Sequence, residues 1–216
     1  MEQLETRLRA GLKTLQLSLS DYQVVALLGY LELLAKWNKT YNFTAVRSPE
    51  LMVDRHLLDS LSVAVHLKGE RFVDIGSGAG LPGIPLAIVF PKLHFDLIDS
   101  LGKRTRFLFQ VKMALGLDNI EIHQCRAETF QLQLGYDGVL SRAFASLADM
   151  LLACGHLTRN GGVFYAMKGV YPAAELADIG PAYFPLAVHR LEVPGVDEER
   201  HLVLLSAKSE KKIMTE

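Results

Sequence analysis

The stretch Phe72–Pro85, FVDIGSGAGLPGIP, restricts what this chain can become more than any other. Phe72, Val73 and Ile75 form a short apolar run suited to a buried strand. Gly76, Gly78, Gly80 and Gly83 follow at once. A strand that ends in such a turn and restarts as a helix lets a ligand touch backbone, because glycine accepts positive φ and carries no Cβ. The helix behind the turn is expected to point unpaired N–H groups and a partial positive charge at that ligand.

The rest of the chain reads as a frame for this turn. Strands are expected at Arg71–Ile75, His94–Asp99, Ile120–Gln124, Asp137–Ser141 and Val163–Met167. Helices are expected between them, from about Pro82 to Phe90, Lys103 to Leu115, and from a Ser146 cap to about Cys154. Asn160-Gly161-Gly162 reads as a turn, and a short helix is expected near Ala173–Ile179. Repeated strand–helix units give a parallel sheet with helices on both faces. Ala187–Val193 and His201–Ala207, joined across Pro194-Gly195-Val196-Asp197, read as a closing antiparallel hairpin that completes seven strands. A closing hairpin of this kind is the variation found in the Rossmann-like methyltransferase sheet. Residues 1–68 read as an all-helical extension before the domain at 69–216. It has leucines at helical spacing from Leu4 to Leu15 and a Ser20/Gln23 capping box opening a helix to about Lys39. A Ser48-Pro49-Glu50 start then opens a helix carrying Met52, His56 and Asp59 toward His66.

Composition narrows the class. The chain has 216 residues, half of them hydrophobic, enough for a core without staples. Cys125 and Cys154 have no metal-ligand spacing, so no metal is expected and both read as core fillers. MEQLETRLRAGLK holds no apolar core of a signal peptide and no run is long enough for a membrane helix, so cytoplasm is the expectation. Net charge is −1 and both signs are spread along the chain, so contact with nucleic acid requires a local patch.

Gly78-Ala79-Gly80-Leu81-Pro82-Gly83 matches the dinucleotide fingerprint literally, but the strand ends at Ile75, which makes Gly76 the first functional glycine. In that register Asp74 precedes GxGxG, the form associated with S-adenosylmethionine. Asp74 can attract the methionine ammonium or hold the turn through backbone N–H groups, and Gly78 belongs to the same cradle. Asp99, at the tip of the second strand, suits ribose hydroxyls or a helix cap. Arg126-Ala127-Glu128 borders the adenine in such folds, or is a solvated turn. His56 and Asp59 lack a third ligand and read as a hydrogen-bonded pair. Trp37, Tyr41 and Phe43 can stack bases or pack as core, and Lys103, Arg104, Arg106 and Lys112 can meet phosphates or simply face water. Arg142, Lys168 and Arg200 are cations at strand ends, where open sheets bind ligands.

Taken together, Lys36-Trp37-Asn38-Lys39, Arg47, Arg55-His56 with Asp59-Ser60, Asp74–Gly83, Asp99–Arg104, Ser141–Leu147, Lys168-Gly169 and Glu199–Val203 resemble the bacterial RsmG (GidB) family of 16S rRNA guanine-527 N7 methyltransferases. The resemblance spans about Ser20 to Ala207. It implies a class I methyltransferase using S-adenosyl-L-methionine on the small ribosomal subunit, with cofactor contacts at Gly76, Leu81, Ala127, Glu128 and Arg142. Guanine N7 already carries a lone pair, so no acid or base is assigned. Arg142 is expected to shape the pocket, and Lys168 and Arg200 to hold RNA phosphates or the O6 edge. A monomer is expected, and nothing places the Lys211-Lys212 tail. The alternative is a small-molecule methyltransferase. An NAD(P) oxidoreductase of the short-chain type wants a Tyr-xxx-Lys pair after the fourth strand, and none follows.

Overall fold

The computed structural model describes residues 2–131, 134–142 and 144–208. Ala143 and the Lys211-Lys212 tail lie outside the described residues. The apolar runs become strands β1 (Arg71–Ile75), β2 (His94–Ile98), β3 (Ile120–His123), β4 (Tyr136–Ser141), β5 (Thr158–Lys168), β6 (Tyr183–Arg190) and β7 (His201–Ala207). They form one sheet in the order β3-β2-β1-β4-β5-β7-β6. The first five are parallel, and β7 runs antiparallel to both β5 and β6. This is the Rossmann-like methyltransferase sheet with its closing hairpin. The strand order reverses between β1 and β4, the place where open α/β sheets bind ligands.

Alternation along the strands feeds two cores. Phe72, Phe95, Leu97, Leu140 and Leu202 face one side, and Val73, Ile75, Ile98, Val139 and Phe164 the other. The second side is covered by α7 (Leu147–Cys154), which Ser146 caps as expected. The first side is covered by α5 (Gly83–Val89), α6 (Gly102–Leu115) and the helices before β1. Those are α1 (Glu2–Thr14), α2 (Asp21–Tyr41), α3 (Pro49–Met52) and α4 (Asp59–Leu61). The capping box at Ser20 also docks α2: Gln23 Oε1 accepts from the Ser20 N–H, while Gln23 Nε2 donates to the Ile88 and Val89 carbonyls that end α5. The Tyr30 hydroxyl donates to the Ala79 carbonyl at 2.7 Å, so α2 also supports the glycine turn.

Three local expectations need correction. The helix opened at Pro49 is not continuous. Val53–Leu58 widens into a π-helical turn before α4, a feature common at functional sites. The widened turn buries polar side chains against separate partners: Asp54 accepts from Arg7 Nε at 2.8 Å, and His56 Nε2 meets Thr44 Oγ1 at 3.0 Å. Asn160-Gly161-Gly162 is a bulge inside β5 and does not precede it. Tyr136 pairs with Thr158 and Gly138 with Val163, so the surplus residues are looped out through Gly161 at φ +80°. Finally, β6 starts at Tyr183 and ends at Arg190, earlier at both ends than expected. Pro185 causes a register shift against β7 that an edge strand tolerates, and this hid the alternation.

Candidate functional site

The glycine turn is built by β1 meeting β2. The Gly76 and Ser77 N–H groups donate to the Ile98 carbonyl, and Gly76, Gly78 and Gly80 all have positive φ. Asp74 is fully buried, and its Oδ2 accepts from the Gly83 N–H at 3.0 Å. Of the two roles open to Asp74, the geometry shows the one that holds the turn. It also corrects the expectation of a ligand at the N-terminus of α5, because Asp74 and the Gly80 carbonyl take the Gly83 and Ile84 N–H groups. A Cβ on Gly83 would lie 2.3 Å from Leu97 and 2.9 Å from the Asp74 carboxylate, so the turn closes this tightly only with glycine there. Burial pushes the Asp74 carboxyl up to about 7, against the pull of the Gly83 N–H and Arg142, and its Oδ1 has no hydrogen-bond partner.

Two clefts open at the carboxyl ends of the parallel strands, the first of them at this turn. The first, about 170 Å³, is lined by Gly76, Asp99, Arg104, Ala127, Glu128 and Phe144 among others. Asp99 is its polar anchor. Its Oδ2 accepts from the Gly78 N–H at 3.0 Å and from Arg104 at 3.1 Å, and its Oδ1 from the Leu101 N–H at 2.9 Å. Three of about four lone-pair sites are used, and Arg104 is a partly exposed partner able to swing away. The carboxylate can therefore accept the hydroxyls of a ribose. Small residues at Gly76 and Ala127 keep the cleft open beside it. Gly76, Asp99, Ala127 and Glu128 come together as the sequence predicted. Gly78 reaches the cleft through its N–H on Asp99, while Leu81 is buried in the core and Arg142 lines the neighbouring cleft. Cys125 lines the first cleft and Cys154 is buried in the core.

The second cleft, about 280 Å³, gathers His56, Asp59, Arg142, Lys168, Arg200 and His201. Its organiser is Asp59, a buried carboxylate on α4. Asp59 Oδ2 accepts from Arg142 at 2.9 Å and Oδ1 from Arg200 at 3.1 Å. Burial pushes the Asp59 carboxyl up, and the two guanidiniums pull it back. They also make a cation at Asp59 unfavourable, which removes a metal reading for His56 and Asp59. Burial pushes the His56 imidazole down to about 4, helped by Arg142 and Arg55, so it is neutral at physiological pH. Lys168 is differently placed from the free cation the sequence implied. Its ammonium pairs with Glu175 at 2.7 Å and donates to the Phe144 and Ala145 carbonyls at 3.4 and 3.2 Å. All three donors are used, so Lys168 straps down the loop after β4.

The sequence did not reveal Arg104 in the first cleft, Asp59 between two arginines, or Glu175 beneath Lys168. Trp37, Tyr41 and Phe43 lie outside the residues lining either cleft. A larger hollow of about 760 Å³ lies between α1 and Pro194-Gly195, away from the strand ends. His94, Asp96 and Glu121 also converge, but His123 and Tyr136 already take the two Asp96 oxygens. No helix among the described residues is long and apolar enough to cross a membrane.

Comparison with known proteins agrees with this architecture. Residues 23–203 match the family model described as rRNA small subunit methyltransferase G, GidB. A ribosomal RNA small subunit methyltransferase G of Saccharophagus degradans is 54% identical over 204 residues, 94% of this chain and 92% of that protein. The same-named protein of Serratia proteamaculans is 54% identical over 205 residues, 94% of this chain and all of that protein. A solved SAM-dependent methyltransferase from Thiobacillus denitrificans, in complex with S-adenosyl-L-homocysteine, superposes with a TM-score of 0.52 at 12% identity. That likeness covers 70% of this chain and 90% of that one, and it shows the fold alone. With the family match spanning most of the sheet and both clefts, the chain belongs to the rRNA small subunit methyltransferase G (GidB) family.

Proposed function

We propose that this chain transfers a methyl group from S-adenosyl-L-methionine to N7 of a guanosine, position 527, in 16S rRNA of the small ribosomal subunit. The observation that carries the reading is the pair of clefts at the strand-order reversal, one anchored by Asp99 and the other lined by arginines on Asp59. When bound, the cofactor supplies an electrophilic methyl group on a sulfonium.

Asp99 would hold the ribose of the cofactor, Glu128 and the Ala127 backbone would border its adenine, and Gly76 would let backbone approach it. Guanine N7 carries an in-plane lone pair and no proton, so the chain needs no base. A neutral His56 and an Asp59 already occupied by two guanidiniums fit that requirement. The remaining task is alignment, which can accelerate a reaction greatly without proton transfer. Arg142, fixed by Asp59, lines the second cleft. Arg200, fixed on the same carboxylate, has N–H groups for the O6 edge or a phosphate. A guanidinium on N7 itself would block the attacking lone pair, so a bidentate O6/N7 grip does not suit the reactive pose.

The extension at 1–68 shares a core with the domain at 69–216, and we assign it the role of supporting the glycine turn and supplying Asp59. The protein is taken to act as a monomer in the cytoplasm. Methyl transfer to small subunits, to naked 16S RNA and to an RNA-free metabolite extract tests the reading. Transfer to folded subunits in preference to the other two supports it; transfer to the metabolite extract alone replaces it with a small-molecule methyltransferase.

A further inference from the structure

Two runs of the chain carry positive charge without an acid, and they hold an aromatic array outside both clefts together with its support. Trp37 and Tyr41 stand one turn apart on α2, and Asn42, left-handed at φ 51°, reverses the chain so that Phe43 folds back beside them. The three rings stack on one another. Centroids lie 5.2 Å apart for Trp37–Tyr41, 5.7 Å for Tyr41–Phe43 and 6.3 Å for Trp37–Phe43, with interplanar angles of 29°, 13° and 16°. Buried Phe107 of α6 supports them from below, 5.5 Å from Trp37 and 5.2 Å from Phe43. Asn38, also buried, clasps the turn, donating to the Thr44 carbonyl and accepting from the Thr44 N–H. Phe107 is fully enclosed, whereas the three stacked rings are half-buried: Trp37 and Phe43 pack on the core from its surface, and all three keep part of their area open to solvent.

The two segments that carry the platform and its support hold charge of one sign. Between Glu32 and Glu50 the chain holds Lys36, Lys39 and Arg47 and no acid; between Asp99 and Asp118 it holds Lys103, Arg104, Arg106 and Lys112 and no acid. Arg104 is taken by Asp99, but Lys36, Lys39, Lys103 and Arg106 are exposed, and among the described residues no ion pair is formed by any of them. Lys103 lies one turn before Phe107, on the face that meets the platform. The platform is also continuous with the arginine cleft: Thr44, held by Asn38, bonds His56, and Val46 lines that cleft. Partly exposed aromatic rings beside cations that form no ion pair are the equipment of single-stranded nucleic-acid binding, in which rings stack bases and cations meet phosphates.

We infer that unpaired nucleotides flanking the target base of the RNA stack on Trp37, Tyr41 and Phe43, with Lys103 and Arg106 on their phosphates. The inference rests on the rRNA reading of the active site. It explains how a chain of net charge −1 holds RNA, since the patch is local.

Trp37 is the only tryptophan in the chain, so its fluorescence reports the platform directly. The protein, saturated with S-adenosylhomocysteine, is titrated at low salt with a single-stranded oligoribonucleotide of the target loop, with a perfect duplex of it, and with polyglutamate. Saturable quenching by the single strand, well beyond that by the duplex, is expected. Lys103→Glu/Arg106→Glu should weaken that binding and flatten the salt dependence by about 1.4, at about 0.7 per lost single-strand phosphate contact. Tyr41→Leu should raise KM for small subunits about tenfold, the loss of roughly one stacked base, with cofactor affinity unchanged and Tm lowered by only a few degrees through the lost ring stacking. Equal quenching by duplex, or quenching by polyglutamate in place of RNA, overturns the inference; the latter marks the patch as a site for an acidic protein. So does an enzyme that methylates subunits with unchanged KM in both variants, which leaves the rRNA function intact. Single-strand quenching in a protein that methylates no subunit upholds the surface and removes the function.

Discussion

Replacing Asp59 by asparagine isolates the charge that joins Arg142 to Arg200. Asparagine keeps the shape and one acceptor, so the loss is a negative charge between two guanidiniums. Breaking a buried ion pair by removing one partner costs about 3–5 kcal/mol. Here the carboxylate is buried but the Arg142 and Arg200 side chains are 27% and 24% exposed, so hydration relieves part of the penalty. About 2–3 kcal/mol is expected, or a Tm lower by about 4–12 °C for a chain of this size. Asp59 does not line the Asp99 cleft, so cofactor affinity should stay within about twofold while turnover on small subunits falls at least about tenfold. Urea denaturation, calorimetric titration with S-adenosylmethionine and single-turnover methyl transfer give the three readings. Adding Arg200→Met to Asp59→Asn should restore part of the stability by removing one uncompensated cation. Unchanged stability and turnover in Asp59→Asn would refute the reasoning. A loss of cofactor affinity as large as the loss of turnover would show instead that Asp59 serves the first cleft.

Asp99→Ala should weaken S-adenosylmethionine binding roughly 10- to 100-fold by removing charged hydrogen bonds, with the fold intact; unchanged affinity by titration would take Asp99 out of the site. Asp74 holds its proton up to about pH 7 in the fold and releases it near 3.8 when unfolded, so its contribution is present below 3.8 and is lost as pH rises toward 7. Asp74→Asn should therefore gain stability relative to the parent protein across that window, and parallel urea midpoints would show Asp74 ionised in the fold. Glu175→Gln should release Lys168 and loosen the loop after β4, raising hydrogen exchange at Leu147, whose N–H donates to Glu175; protection equal to the parent's would deny the strap.

The sheet was legible in the sequence because its signals are local. Phe72, Val73 and Ile75 of β1 and Phe95, Leu97 and Ile98 of β2 are apolar and lie between turn and cap residues, and Ser20, Ser146 and Gly116 each end or begin an element where expected. Four lining residues of the first cleft were legible for a related reason: the fold brings the tips of β1, β2 and β3 together whatever their side chains do. What stayed hidden depends on contacts between distant residues. Asp59 meets residues 83 and 141 positions away, and no periodicity records such a meeting. The Lys168 strap needs Glu175 to turn back under the sheet edge, and the Gly161 bulge needs the pairing of β5 with β4. Trp37, Tyr41 and Phe43 were ambiguous because their spacing suits a core or a platform equally. The structure gives both at once: the rings are half-buried, and Trp37 and Phe43 pack on the core beside Phe107.

The most direct test of the account is to map the methyl group. Small subunits that lack the modification are incubated with the protein and isotopically labelled S-adenosylmethionine, and the 16S rRNA is digested and analysed for the modified base and its position. The account predicts one label per subunit, at N7 of guanosine 527, and none in the large-subunit RNA. Label on another atom or base, or none in the small subunit while a metabolite is methylated, would contradict it.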